Sequence, residues 1–505
     1  MIDSWIKSHR LGYYCIFFVI LASGLGIRWY WSTEKVGLHD DEVASFSLAE
    51  SLDGSYNRPV LGESEQTSTM TGMELKQFYL IHDNTLSGVF KDIRSMHHKM
   101  FVFDHTNFYY SILRIVFLGK DTYDTRSIIR NGVMLNLLFF ILSFVVLWKI
   151  LTLLYTNSIV VLSTLGCFSF MPGAISDAIF IRPYELQMLT VLLLVYWITK
   201  VYMSMNNGTW NYNVKNFIIT AILLSAVLWT GYFMVILVAF LGSQLLWKVS
   251  KHGSLLTGFL YFGGTGVASL IICYILYRSY FVGFHGDGRI ADKLFTSGGL
   301  SRLMDSALYW AQLLLKNTMP WPVLVVVGFT MWIKRSCLAE MPKFVLPILL
   351  YTFIVTLLAP FYTNRYIVAA SPLLLLLIPA ALCNIKRKKV QLLLSALIVL
   401  IYATNALQEE NIDYLFKNSK QLTLLSENPG DVHFVQKRNW QLAGLVPFLS
   451  DDVEYKISTQ PSFDDYKSGD VVAYAPHPKD KIITFPTDRF ELYCKYYTYY
   501  IYKVK

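Results

Sequence analysis

The run His39-Asp40-Asp41-Glu42 sets an imidazole beside three carboxylates. Adjacent acids repel, so such a run persists when it is solvated or when it faces a cation or a reacting group. A carboxylate within reach of a hydroxyl can act as general base. The residues that follow, Val43, Ala44, Phe46 and Leu48, suit a short helix at a membrane interface with Asp40 or Asp41 at its N-terminus. The plainer alternative is a helix cap on an exposed loop. A second run, Asp104-His105-Thr106-Asn107-Phe108-Tyr109-Tyr110, leads into Ile112, Leu113 and Ile115 and predicts another helix lying along a membrane. Taken alone, His105 reads as an ordinary surface residue. Arg182-Pro183-Tyr184 opens an apolar run, with proline at the first helical turn where it is tolerated, and Asn364-Arg365-Tyr366 opens another. An arginine at a helix start meets the positive end of the dipole. Either these side chains snorkel to lipid headgroups, or they hold a phosphate together with the helix N-terminus.

These residues must be positioned by membrane helices. The chain has 505 residues, 54% hydrophobic and 16% charged, against roughly 25% charged in a soluble protein. Apolar runs long enough to span a bilayer recur. The first covers Leu11 to Ile27 and is read as a retained helix rather than a cleaved signal peptide, because it is long for a signal and lacks a clear cleavage site. Further spans are predicted near Gly132–Tyr155, Ile159–Ser176, Pro183–Met203, Phe217–Thr230, Tyr232–Trp247, Leu255–Tyr277, Trp321–Ile333, Phe344–Phe361, Tyr366–Cys383 and Val390–Leu407. The expected fold is an α-helical polytopic membrane protein with about eleven transmembrane helices.

Charge orients the spans. With the N-terminus inside, the cytoplasmic loops hold Lys200 and Lys215; Lys248 and Lys251; Lys334, Arg335 and Lys343; and the run Lys386 to Lys389. That follows the positive-inside rule. It places the polar segment Arg28–Arg130, the Tyr280–Met319 loop and everything after Leu407 outside. The net charge of +9 is explained by these loops, and no nucleic-acid motif is present. Of the six cysteines only Cys494 falls in an exterior segment, so neither a structural disulfide nor a thiolate metal site is expected. In the tail, Val432–Val435, Val471–Tyr474 and Tyr496–Tyr502 read as strands, with turns at Asn428-Pro429-Gly430 and Ser468-Gly469. The predicted organisation is a membrane domain over 1–407, including a large first exterior loop over 28–130, and a small exterior α/β domain over 408–505.

Together these motifs resemble the GT-C superfamily, multi-pass glycosyltransferases that use polyprenyl- or dolichyl-phosphate sugars. The likeness is to the branch of protein O-mannosyltransferases and lipid A aminoarabinose transferases. Asp41-Glu42 matches the Asp-Glu pair that follows the first helix in that branch. His105-Thr106-Asn107-Phe108-Tyr109-Tyr110 matches a His-Pro-Pro-Leu-Tyr-Tyr motif without its prolines. Arg182-Pro183-Tyr184-Glu185-Leu186 matches an Arg-Pro-Tyr-x-Leu opening of the fourth span. Arg365-Tyr366, followed by Pro372 and a leucine run, matches a late Arg-Tyr, and Trp229-Thr230-Gly231-Tyr232 a Thr-His-Tyr turn with glycine for histidine. The resemblance covers about Leu11 to Cys383.

It implies an inverting sugar transfer on the outer membrane face. By position Asp41 would be the general base, with Glu42 and Asp40 orienting it or tuning its pKa, and Asp40 or Asp104 as the alternative bases. Arg182 and Arg365 would hold the donor phosphate. Asp104, His105, Tyr109, Tyr184 and Tyr366 would line the donor or acceptor pocket. The partners would be a polyprenyl-phosphate sugar, a glycan, glycolipid or protein acceptor, and membrane lipids. Some members of the superfamily need a divalent metal and others do not; Asp40, Asp41 and Asp104 offer oxygen ligands suited to magnesium, manganese or calcium. The expected location is a bacterial inner membrane, with the C-terminus in the periplasm. The main rival is a multi-pass transporter or lipid flippase, which predicts charges buried within the spans and symmetric halves. A receptor or scaffold is a third reading and leaves the acid run without a role.

Overall fold

The computed structural model describes residues 10–50, 67–81, 83–99, 106–251, 254–281, 299–333, 343–359, 361–436, 440–476, 483–496 and 498–505. The chain divides into two compact units. One comprises Met1–Trp31, Phe103–Tyr109 and Val133–Asp413, and the other Ser32–Val102, Tyr110–Gly132 and Tyr414–Lys505.

The first unit is helical. Among the described residues, five helices are long and apolar enough to cross a bilayer: Leu11–Glu34, Thr125–Leu154, Tyr184–Asn206, Leu255–Leu276 and Lys388–Ala406. The most apolar stretch of Leu255–Leu276 is only 17% buried. Its Phe259, Leu260, Val267, Ile271 and Ile275 are exposed, as lipid-facing side chains are. The chain is an integral multi-pass membrane protein.

Two further spans are broken. Ser158–Ser169 and Pro172–Ala178 meet at 51°, and Leu303–Asn317 and Trp321–Ile333 at 98°. Proline removes an N–H and pushes the residue before it out of the helical region. Met171, before Pro172, is accordingly extended, with φ −69° and ψ 115°. Counting each bent pair as one span gives seven, and Val214–Leu228, Met234–Ser250, Val345–Leu358 and Ser371–Leu382 are apolar but shorter. Each predicted run carries helix, and among the described residues length and composition alone mark five to seven crossings. Two local expectations also change. The Tyr280–Met319 loop contains the Gly299–Asn317 helix. The Tyr366–Cys383 span is not a regular helix: 3-10 turns at Asn364–Tyr366 and Ser371–Leu376 precede a short helix, Leu377–Leu382. Pro372 and Pro379 break its hydrogen-bond ladder. Ser371 to Leu376 are all buried, the setting in which irregular backbone is tolerated at membrane depth.

The second unit is built on a six-stranded sheet of order β1-β3-β2-β4-β6-β5. The strands are β1 Thr67–Thr71, β2 Val432–Gln436, β3 Glu454–Ser458, β4 Val471–Ala475, β5 Phe490–Tyr496 and β6 Tyr499–Val504. β2 runs parallel to both β3 and β4, and the other pairings are antiparallel. Every residue of β2 and β4 is buried, as expected of central parallel strands. The stretch Tyr496–Tyr502, expected to form one strand, instead spans the end of β5 and most of β6. The first polar segment contributes a strand to this sheet. Its β1 pairs with β3 of the tail, Thr69 opposite Lys456, so its backbone groups are satisfied there.

Candidate functional site

The acid run lies in the mixed unit. It opens the Asp40–Glu50 helix, in which Val43, Ala44, Phe46, Leu48 and Ala49 are all buried, so this helix is a core element rather than an interfacial one. His39 caps it. The Glu42 carboxylate accepts the His39 N–H at 2.8 Å, and His39 Nδ1 lies 3.0 Å from the Asp41 N–H. The Glu42 half is that of a capping box, while the His39 ring meets the second N–H of the helix rather than the third.

The three acids do different work. Glu42 is fully buried and receives both a 2.7 Å and a 2.8 Å contact from Lys35 Nζ. Burial pulls the Lys35 ammonium below its usual range, and Glu42 opposes the shift. Glu42 is therefore committed to structure. The Asp40 carboxylate, 7% exposed, accepts the Asp41 N–H at 2.9 Å and contacts His39 Nδ1. Asp41 keeps the most open carboxylate of the three, with 24% of its side chain exposed and an oxygen 3.5 Å from His39 Nδ1.

The tail supplies aromatic walls. His39 packs against Tyr414 and Phe416, ring centroids 6.2 and 5.8 Å away. Both residues sit in the left-handed region, at φ 69° and 51°. For bulky side chains this is a strained conformation, of the kind found at functional sites. A pocket beside Asp40 is lined by Leu38, Phe416, Gln441, Tyr496 and Tyr499. Tyr496 OH donates to the Leu38 carbonyl. Burial, together with the charges of Glu42 and Asp40, holds its phenol above the usual range.

His39 Nδ1 and the carboxylate oxygens of Asp40 and Asp41 lie within 4.8 Å of one another. An imidazole beside two carboxylates is a mixed nitrogen and oxygen set, unlike the all-oxygen sets that magnesium and calcium take. Asp104 and His105 lie outside the described residues.

The arginines lie in the helical unit. Arg182 is buried at the entry to the Tyr184–Asn206 helix, and its backbone N–H donates to the Phe180 carbonyl at 2.7 Å. Tyr184 stacks on Phe180 at 6.0 Å. Tyr109 reaches the same segment indirectly. Its hydroxyl donates to Asn136, whose amide donates to the carbonyls of Ala178 (3.2 Å) and Phe180 (2.8 Å). Arg365, also buried, lies on the Asn364–Tyr366 turn with its Nη2 3.3 Å from Tyr366 OH. At the Trp229–Tyr232 turn, Phe108 stacks on Trp229 at 4.2 Å and Thr106 donates to the Trp229 carbonyl. A Cβ on Gly231 would lie 2.6 Å from Gln187 Nε2, which donates to the Thr230 carbonyl. A side chain at 231 would displace the Gln187 amide from this contact.

Several charged groups stand out in the structure but not in the sequence. Arg28, placed by hydropathy at the end of the first span, is fully buried; it lies over the Phe140 ring at 3.6 Å and donates to the Ser169 carbonyl at 2.7 Å. Glu185, within the Arg-Pro-Tyr motif, is also fully buried, and neither of its oxygens has a hydrogen-bond partner. Asp177 reads in the sequence as part of a tight hairpin. Lys35 carries no signal there beyond its charge.

No protein-family model matches this chain, and no curated protein does. Among solved structures it is similar to the crystal structure of ArnT from Cupriavidus metallidurans bound to undecaprenyl phosphate. The two share 11% identity and a TM-score of 0.47, over 96% of this chain and 97% of that one.

Proposed function

We propose that the chain is a GT-C-type glycosyltransferase that moves a sugar from a polyprenyl-phosphate donor to a glycan, glycolipid or protein acceptor on the exterior face of a bacterial inner membrane. Asp41 takes the proton of the acceptor hydroxyl. The freed oxygen attacks the anomeric carbon opposite the phosphate, so the glycosidic bond forms with inversion as the phosphate ester bond breaks. Arg182 and Arg365 meet the negative charge that grows on the departing phosphate. Asp40 and His39 set the Asp41 carboxylate, and Glu42 anchors the helix start through Lys35. Tyr109, Tyr184 and Tyr366 shape the surroundings of the arginines, and Asp104 and His105 remain candidates for the pocket.

The observation that carries this reading is the division among the acids. Glu42 is paired with Lys35 with no exposure on either side, while 24% of the Asp41 side chain is exposed at the start of the Asp40–Glu50 helix. A general base needs such an arrangement: one reachable carboxylate held by groups that do not react. The test is transfer of labelled sugar from a panel of polyprenyl-phosphate donors to membrane acceptors. Arg182→Gln and Arg365→Gln should each lower the rate by about 10²- to 10³-fold. The transporter reading draws on the buried Arg28, Asp177 and Glu185. It would prevail if no donor is turned over while proteoliposomes move the lipid-linked sugar across the bilayer.

A further inference from the structure

Two helices of the helical unit meet at a basic surface that sugar transfer does not use. Met234–Ser250 packs against Val345–Leu358. They run antiparallel. Tyr351 OH lies 4.0 Å from Met234 Sδ, and towards the other end the Gln244 amide donates to the Lys343 carbonyl. Trp247 follows three residues after Gln244 and is 50% exposed. An indole left open where an apolar helix ends suits a membrane interface, where such rings settle at headgroup level. Two ammonium groups sit on it. Lys251 Nζ lies 3.8 Å and Lys343 Nζ 5.6 Å from the ring centroid. Among the described residues no other ring carries two.

One cation is attracted to an indole face, but two on the same ring repel each other. A third stands behind them. Lys248 is buried next to Trp247, with its Nζ on Asn206 Oδ1 and 6.0 Å from the Tyr202 ring centroid. The charges of Lys251 and Lys343 both act on it. Among the described residues no carboxylate lies within ion-pair reach of Lys251 or Lys343, and both side chains are exposed. The complement to this surface is an anion. The surface beside it is apolar: Leu346, one turn after Lys343, and Leu350, one turn further, are both exposed. A soluble anion would leave those leucines uncovered, whereas a lipid anion meets the charge with its headgroup and the leucines with its chains.

We propose that Trp247, Lys251 and Lys343 bind the phosphodiester headgroup of an anionic phospholipid, in the leaflet that the charge pattern predicts to be cytoplasmic, with its acyl chains along Leu346 and Leu350. The bound phosphate offsets the repulsion between the two ammonium groups and ties the end of Met234–Ser250 to the start of Val345–Leu358. Its binding does not depend on sugar transfer.

The full-length chain in detergent is titrated with phosphatidylglycerol, and the complexes are counted by native mass spectrometry. Phosphatidylcholine of the same chain length and inorganic phosphate serve as comparisons, and melting is followed in each. The expected result is saturable binding of phosphatidylglycerol that raises the melting temperature and weakens as salt is added. Lys251→Gln and Lys343→Gln should each weaken it about fivefold, the effect of one lysine at an anionic surface, and Lys251→Arg should preserve it. Lys388→Gln combined with Lys389→Gln removes two charges from the same predicted membrane face and should leave the affinity unchanged. Equal binding of phosphatidylcholine, or full competition by inorganic phosphate, would overturn the proposal. So would a Lys388 and Lys389 variant that weakens binding as much as the Lys251 and Lys343 variants, since the lysines would then act only through their general charge.

Discussion

Lys35→Met removes the cation from a pair with 0% exposure on both sides. Glu42 then loses its contacts at 2.7 and 2.8 Å and keeps the His39 N–H at 2.8 Å. Breaking a buried pair in this way costs roughly 3–5 kcal/mol, because the remaining charge is left uncompensated. Methionine preserves most of the lysine stem, so the cost is one of charge rather than volume. Glu42→Gln strands the other partner and should cost a similar amount. Lys35→Met combined with Glu42→Leu should recover most of the loss, since apolar replacement of both ions is often neutral or stabilising. The pH response has a definite sign. Burial lowers the Lys35 ammonium below its ordinary 10.5, so the folded chain holds this proton less tightly than the unfolded chain. Stability from this group therefore rises with pH through the interval below 10.5 and levels off above it, and Lys35→Met removes the slope. Melts of the solubilised chain in a double-mutant cycle measure the coupling. Single substitutions that cost under about 1 kcal/mol each, or a double variant that costs their sum, would refute the reasoning.

Two further outcomes follow from single contacts. Burial lowers the His433 imidazole despite Asp470 at 3.3 Å and the nearby Asp431, with Lys456 adding to the lowering. The unfolded chain then binds more protons, so stability of the mixed unit should fall as pH drops through 6.5; His433→Asn should flatten that slope in melts taken across the range. Asn136→Leu removes the bridge from Tyr109 to the carbonyls of Ala178 and Phe180. Each stranded buried group costs about 1–3 kcal/mol, so the melting temperature should drop, and the transfer rate should drop further if this segment positions Arg182.

The membrane helices were legible because an apolar run of spanning length, with almost no charge in it, has to be kept from water along its whole length. The Asp40–Glu50 helix start and the proline entry at Pro183 were also legible, since caps and prolines act locally. What the sequence hid is non-local. Thr67–Thr71 is short and polar, and only the partner strand Glu454–Ser458 makes it β. Lys35 and Glu42 are seven positions apart across a break in the helix, a spacing that predicts no contact. Tyr414 and Phe416 bear on His39 through backbone conformations that bulky residues rarely adopt. Asp177 and Arg28 read as loop and span-end residues because hydropathy averages hide a single charge within an apolar run. The Tyr366–Cys383 segment shows the opposite failure: its hydropathy is that of a span, but Pro372 and Pro379 leave it without a continuous helix.

Sugar transfer is assigned above all to Asp41, and the most direct test is single-turnover transfer by Asp41→Asn beside Glu42→Gln and the wild-type chain, with melts confirming that each is folded. Loss of a general base typically lowers the rate by about 10²- to 10⁴-fold. A fall of that size in Asp41→Asn with an unchanged melt, alongside a Glu42→Gln variant that loses stability before it loses chemistry, is the predicted result. An Asp41→Asn chain that transfers at near the wild-type rate would contradict the assignment.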